Sequence, residues 1–388
     1  MRILHAIAGM SPGDGGPTKA VFEMARAVAR RGHQVTILAT NKDGAGVLDV
    51  PTDRPIHRDG VELRYYPVQF PRFFRFSRPL SRALADEIPR SDVVHVHSLY
   101  LFHDLVSSRE CQRSRVPYVV RPHGSLDPYL FRRHRWRKKL LEVWFQDRML
   151  RGAAGIHYTA DEERELAEPH VFGAPGFVIP NGLEPSAYED LPRPGSFRSR
   201  YPEIGDKKLI LFFGRLNFKK GLDVLVDAFD RVRQERDDVH LVLAGPDGGM
   251  RAKVDRWLCQ RGIREDATFT GMVQGTRKLE LLRDGDLFVL PSYSENFGIA
   301  VIEAAVCKMP VLISNRVNIW SAIESAGAGV VTPPSAKEFS DSMLWLLRDD
   351  ERRREMGGCG EALVRERFAW DRIAGKLEGM YREVAQVG

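Results

Sequence analysis

Short, wholly apolar runs recur along this chain, and between them lie longer stretches in which apolar positions return every three or four residues. In the first half the runs predict strands over Arg2–Ala8, Val35–Ala39, Val93–Val96, Tyr118–Val120, Ile156–Thr159 and Phe177–Ile179. Helices are predicted over Pro17–Arg31, before Tyr118, and from about Arg132 to Leu150. A second series of strands follows at Lys208–Phe213, Val239–Ala244, Leu287–Leu290, Val311–Ile313 and Gly329–Val331. Strands that are apolar throughout, rather than alternating, are covered on both faces. Alternation with helices therefore predicts α/β architecture with doubly wound parallel sheets.

The alternation pauses between Gly182 and Asp206, where Pro185, Pro192, Pro194, Gly195 and Pro202 interrupt the chain and no periodic core face is visible. That segment is the expected connection between a first domain, 1–183, and a second, 184–369. The closing helices, Ser335–Leu347, Glu351–Phe368 and Trp370–Val384, have no strand between them. The last of them, within 370–388, is expected to pack back on the first domain. A chain of 388 residues is long enough for two such cores.

Composition narrows the class. A hydrophobic share of 43% with 28% charged residues is that of a water-soluble globular protein, and no apolar run reaches the length of a membrane span. Ile3 to Met10 is too short for a signal-peptide core and reads as the first strand. Cys111, Cys259, Cys307 and Cys359 lack zinc-site or disulfide spacing, so a reducing cytoplasm fits best. The net charge of +6 is uneven: residues 129–151 carry +6, residues 64–82 carry +5, and the remainder is acidic. In the second of these segments Tyr65, Tyr66, Phe70, Phe73, Phe74 and Phe76 interleave with Arg72, Arg75 and Arg78 without helical or strand order. Aromatic and Arg side chains together suit anionic lipid headgroups, so an anionic membrane surface is an expected partner through 64–82 and 129–151. A solvated basic face is the plainer alternative, and no nucleic-acid recognition module is present.

Four connections carry candidate chemistry. Pro291-Ser292-Tyr293-Ser294-Glu295-Asn296-Phe297-Gly298 joins a buried strand to a helix, so the amides of Asn296, Phe297 and Gly298 are expected to be unpaired and open to a phosphate or sugar oxygen. Glu303 follows eight residues after Glu295, roughly 12 Å along a helix. A hydrolase pair needs about 5–9.5 Å, so these carboxylates would instead grip opposite ends of one long ligand. After Leu209–Phe213 comes Gly214-Arg215-Leu216-Asn217-Phe218-Lys219-Lys220-Gly221, where Arg215 as a planar fork and Lys220 as a point charge could hold a diphosphate. Gly9-Met10-Ser11-Pro12-Gly13-Asp14-Gly15-Gly16-Pro17-Thr18 does not match a dinucleotide fingerprint, which disfavours an NAD enzyme. Gly15 and Gly16 still form an anion-receptive turn before a helix. Pro122-His123-Gly124-Ser125 places a histidine at a strand end, where ligands are read, while His95 and His97 read as partly core. No metal-ligand set and no nucleophile elbow stand out.

Taken in order, Gly15-Gly16, His123-Gly124, Ile179-Pro180-Asn181-Gly182-Leu183, Gly214-Arg215 with Lys220-Gly221, and Glu295 to Glu303 closely resemble the retaining glycosyltransferases of family 4. The resemblance implies a GT-B fold, two Rossmann-like domains facing across a cleft. It also implies transfer of a hexose from a UDP- or GDP-sugar to a glycan or polyprenyl-diphosphate-linked acceptor, in surface-polysaccharide synthesis, with no metal and no other cofactor. On that resemblance Glu295, His123, Arg215 and Lys220 would be catalytic: the two cations would stabilise the leaving diphosphate, while His123 and Glu295 contact the sugar. Glu303 would hold the ribose, the Asn296, Phe297 and Gly298 amides would complete the pocket, and Gly15-Gly16 would approach the diphosphate. Leu183-Glu184 departs from the Val-Asp of many relatives, so no role is assigned to Glu184. A cytoplasmic location, with peripheral binding at the inner face of the membrane, goes with such an acceptor. A nucleotide-sugar 2-epimerase on the same fold and a non-catalytic nucleotide-sugar or glycan-binding protein are the alternatives.

Overall fold

The computed structural model describes residues 1–388 except 12, 14, 132–141 and 388. Most of the helix expected from Arg132 to Leu150, and most of the basic run within 129–151, lie outside the described residues. The chain forms two compact units, Met1–Gly182 together with Trp370–Gly388, and Leu183–Ala369.

In the first unit the strands are β1 (Arg2–Gly9), β2 (Gln34–Thr40), the short hairpin pair β3 (Lys42–Asp43) and β4 (Gly46–Val47), β5 (Ile56–Arg58), β6 (Val61–Tyr66), β7 (Val93–His97), β8 (Tyr118–Arg121), β9 (Gly155–Tyr158) and β10 (Gly176–Val178). Apart from the hairpin they form one sheet in the order β10-β9-β8-β7-β1-β2-β6-β5, parallel except where β5 pairs antiparallel with β6. β1, β7 and β8 are buried at nearly every position, as strands covered on both faces must be. One face is covered by the helices Gly16–Ala29 and Trp370–Val387, through Val21, Met24, Ile373, Leu377 and Tyr381. The other carries Leu80, Leu84, Cys111 and Met149. The terminal helix is pinned by Trp370 Nε1 donating to Glu23 Oε2 at 3.1 Å and by Arg31 on Glu378 at 2.6 Å.

The basic aromatic segment has more order than its sequence suggests. Val61–Tyr66 is a strand beside β2, with Tyr65 in the core, and Arg78–Glu87 is a helix. Arg64 lies between Glu62 and Glu87. What stays at the surface is Gln69–Arg75, in which Phe70 and Phe73 are 87% and 82% exposed.

In the second unit β11 (Lys208–Phe213), β12 (Val239–Ala244), β13 (Ala267–Gly271), β14 (Leu287–Leu290), β15 (Val311–Ser314) and β16 (Gly329–Thr332) form an all-parallel sheet ordered β13-β12-β11-β14-β15-β16. Its centre is fully buried. The strand order reverses direction between β11 and β14, the position at which open α/β sheets open a crevice beyond their carboxyl ends. The proline-rich stretch after Gly182 is not a bare linker: Leu183, Tyr188, Phe197 and Ile204 are buried in this unit's core. No described helix is long and apolar enough to cross a membrane.

Candidate functional site

The switch point of the second unit brings the loops after β11 and β14 together. Leaving β11, Gly214 N donates to Ala244 O at 2.8 Å and Leu216 N to Pro246 O at 2.9 Å, so the loop after β12 serves as its rail. The Arg215 stem lies along Gly248, where a Cβ would come within 2.9 Å of it. Asn217 caps a single 3-10 turn by accepting from Lys219 N at 3.1 Å, and Gly221, at φ 63°, opens the helix Leu222–Glu235. A Cβ on Gly221 would sit 2.0 Å from the Pro291 carbonyl oxygen, so the two loops touch backbone to backbone. Tyr293 N donates to Lys219 O at 2.7 Å, a second link between them.

Beyond Pro291 the chain does not enter a helix at once. Glu295 N donates to Arg316 O at 2.9 Å and Asn318 N to Glu295 O at 3.0 Å, so Glu295 is held like a strand residue against the loop after β15. The helix runs only from Ile299 to Val306. The eight residues from Glu295 to Glu303 are therefore half loop and half helix, and a helical rise over the whole interval does not apply.

Lys220 Nζ is ion-paired with Glu295 Oε2, their side chains being 17% and 19% exposed. Burial pushes the Glu295 carboxyl up, but Lys220, then Lys219 and the Gly298 amide outweigh it and hold the group below its ordinary value. The Gly298 amide, expected to be unpaired, thus already serves Glu295. Phe297 is a core residue, its ring edge-on to Phe368 at 5.6 Å. Asn296 lies beside it at partial exposure.

Glu303 is buried, as its apolar neighbours required, and is not alone. Its Oε1 accepts from Tyr188 OH at 2.9 Å and from Lys278 Nζ at 3.0 Å, and Lys278 Nζ is 2.9 Å from the Tyr188 hydroxyl. Neither Tyr188 nor Lys278 stood out in the sequence, because one lies in the proline-rich stretch and the other on an ordinary amphipathic helix.

In the first unit Gly15, at φ 86°, precedes the helix starting at Gly16, and the Thr18 hydroxyl donates to Gly15 O at 2.9 Å. His123 follows β8 at φ 52°. Gly124 N donates to Glu163 Oε1 at 2.9 Å, and the other Glu163 oxygen takes the Thr159 amide and hydroxyl, both at 2.7 Å, so a buried carboxylate holds the turn. Behind His123 lies a cluster the sequence did not reveal. His97 Nδ1 is 3.2 Å from His123 Nε2, His5 Nδ1 is 2.9 Å from His97 Nε2, and His157 Nδ1 is 3.3 Å from His95 Nε2. His5, His95, His97 and His157 are fully buried, not partly so. Burial drives each well below its ordinary value. Arg121 also lowers all four, and burial pulls Arg121 itself down to about 10, which leaves it charged at neutral pH. Its Nη2 donates to Asn181 Oδ1 at 2.6 Å.

His5, His95 and His97 each have a ligand atom within 4.8 Å of the others, a spacing compatible with a metal that the sequence did not suggest. His5 and His97 stack only 9° from parallel while His5 and His95 are tilted at 34°, and every ring nitrogen of the three except His5 Nε2 has a hydrogen-bond partner among the described residues.

Residues 196–361 match the family model described as glycosyl transferases group 1, and residues 15–182 match the glycosyl transferase 4-like domain. An uncharacterised glycosyltransferase of Methanocaldococcus jannaschii is 25% identical over 92% of this chain and 92% of its own length. A D-inositol 3-phosphate glycosyltransferase of Xylanimonas cellulosilytica is 28% identical over 96% and 92%. Among solved structures, Anabaena HepE in complex with UDP and glucose superposes with a TM-score of 0.79 at 18% identity, covering 98% of this chain and 99% of that one. A sucrose-phosphate synthase from Thermosynechococcus elongatus gives 0.78 at 19%, covering both chains fully.

Proposed function

We propose that this chain, which belongs to the group 1 glycosyl transferases and has the GT-B fold, transfers a hexose from a nucleotide diphosphate sugar to a glycan or lipid-linked glycan, with retention at the anomeric carbon. One observation carries the reading: the Lys220–Glu295 pair at the switch point, with Arg215 anchored on the same loop. A diphosphate leaving group develops charge as the glycosidic bond breaks, and an ammonium and a guanidinium fixed by backbone bonds stabilise that charge without reorganising. Lys220 would exchange part of its contact with Glu295 for a phosphate oxygen, freeing the carboxylate for sugar hydroxyls. Glu303, oriented by Lys278 and Tyr188, would take the ribose hydroxyls. Within the first unit, His123 would contact a sugar hydroxyl and the Gly15-Gly16 turn would receive a phosphate oxygen. Among described residues this site has no separate carboxylate cluster for a metal, and the two cations would do that work. The HepE structure, solved with UDP and glucose, supports a nucleotide-sugar donor of that kind.

Lys220→Ala tests this directly. Transfer should fall by two orders of magnitude or more, the scale of losing one preorganised charge contact, and melting should also fall because Glu295 loses its charge partner, so turnover is read on protein shown to be folded. A folded Lys220→Ala protein with wild-type turnover would refute the role. Conversion of the donor sugar with no acceptor present would favour the epimerase reading instead.

The acceptor side has its own support. Phe70 and Phe73 project almost fully into solvent beside Arg72 and Arg75, a pairing suited to an anionic lipid surface carrying a polyprenyl-linked acceptor at the cytoplasmic face. Flotation with vesicles containing phosphatidylglycerol should carry the protein at low salt, and Phe70→Ala with Phe73→Ala should release it.

A further inference from the structure

The imidazoles behind His123 form two hydrogen-bonded chains, and in each the proton positions follow from the group at its end. In one, His157 Nε2 lies 2.7 Å from the Ile179 carbonyl, which can only accept, so the proton is on Nε2 and His157 Nδ1 is a lone pair. His95 Nε2 must then donate to it, leaving His95 Nδ1 to accept from the Tyr381 hydroxyl at 2.8 Å. Every role in that chain is fixed.

The second chain runs His5–His97–His123 and ends at His5 Nε2, which is fully buried and has no partner among the described residues. Two proton arrangements are possible. In one, each Nδ1–H donates outward, His5 to His97 and His97 to His123, and the buried dead end is a lone pair. In the other every bond is reversed and the dead end is an N–H. An orphaned buried N–H is the rarer and costlier of the two.

We propose that His5 and His97 are positioning residues that fix His123 with its proton on Nδ1 and its Nε2 occupied. His123 then offers only a hydrogen-bond donor at the end of β8. It gives a hydrogen bond to a sugar hydroxyl or other oxygen and does not take a proton from the acceptor. The sugar contact rests on the function proposed above; the proton arrangement does not.

Nitrogen-15 NMR of histidine-labelled protein tests the two parts separately, with His123→Asn identifying the His123 signals by their loss. The expected wild-type spectrum has His123 protonated at Nδ1 and bare at Nε2. His123 protonated at Nε2 in the wild-type spectrum would overturn the proposal. In His97→Phe the His123 proton should redistribute toward Nε2 while His157 and His95 keep their pattern. UDP-glucose affinity should drop about 3- to 10-fold, the worth of one hydrogen bond. His97→Gln should restore the Nδ1 proton, because its amide can donate to His123 Nε2. UDP-glucose should shift the His123 Nδ1–H signal of the wild type. A correct proton position with no such shift removes the sugar contact and leaves the chain of imidazoles standing.

Discussion

Gly221→Ala offers a quantitative test of how the diphosphate site is built. At φ 63° and ψ 37° the residue is left-handed, which costs a side chain about 1–2 kcal/mol. Reduced freedom of the unfolded chain returns about 0.4–1 kcal/mol, so strain alone should leave a loss of about 1 kcal/mol. The new Cβ would also stand 2.0 Å from the Pro291 carbonyl oxygen, so that backbone must retreat by about 1 Å, an overpacking cost of about 1–3 kcal/mol. The total is about 2–4 kcal/mol, or roughly 5–15 °C of melting temperature in a unit of this size. Gly327→Ala is the matched control: it lies in the same unit at φ 65°, with nothing within 4 Å of its added Cβ, and should lose only the strain. The retreat of Pro291 has a catalytic consequence that the control lacks. Pro291 leads directly into Glu295, and a displacement of about 1 Å in a positioned group can cost about 100-fold in rate. Calorimetry and initial rates with saturating donor would read both effects. If Gly221→Ala is no worse than Gly327→Ala in stability and rate, the close approach of the two loops does not organise the site.

Three further outcomes follow from the same geometry. Glu303→Gln leaves the largely buried Lys278 without its charge partner and should lower the stability of the second unit by about 3–5 kcal/mol, whereas Tyr188→Phe, which removes one neutral hydrogen bond, should cost about 1 kcal/mol in urea titration. The fully buried His5, His95, His97, His103 and His157 stay neutral when folded but take up protons when unfolded below pH 6.5. Their contribution is therefore complete above that pH and falls by about 1 kcal/mol each between pH 6.5 and 5.5. Asp104, pushed up to about 8 by burial, and Glu163 work in the opposite sense, so hydrogen exchange should show the first unit losing a few kcal/mol net while the second, with His240 alone, loses less. Glu163→Gln should loosen the His123–Gly124 turn and raise the donor KM about 3- to 10-fold, with kcat changed less.

What was legible in the sequence and what was not divides along physical lines. Strands buried on both faces, such as Leu287–Leu290 and Val239–Ala244, announce themselves because burial demands an unbroken apolar run. Val61–Tyr66 did not, since Glu62, Arg64 and Tyr66 occupy its half-open face and disguise a clean alternation as a basic patch. Ala267–Gly271 contains two threonines and no such run. At the candidate site, Lys220 and Glu295 were found because strand ends next to glycine are where ligands are read. Lys278 and Tyr188 were not, because what joins them to Glu303 is proximity across 90 residues of Lys278–Tyr188 separation, which one sequence does not encode as a motif. The histidine cluster was missed for the same reason: each imidazole looks isolated until the sheet order sets β1, β7, β8 and β9 side by side.

The route of the chain decides the order in which the protein can be made. It leaves the first unit at Gly182, where a Cβ would lie 2.3 Å from the Trp370 ring, and returns to it at that same tryptophan; on the intervening side Leu183 N donates to Phe368 O at 2.7 Å. The segment Leu183–Ala369 is thus one uninterrupted piece whose two ends meet, and the ribosome finishes it before the opening unit receives the helix bearing Tyr381. Until the helix Trp370–Val387 emerges, the sheet face it packs on has the cover of Gly16–Ala29 but lacks Ile373, Leu377 and Tyr381. Swapping the middle segment between relatives needs a single cut-and-paste, whereas swapping the outer unit needs two.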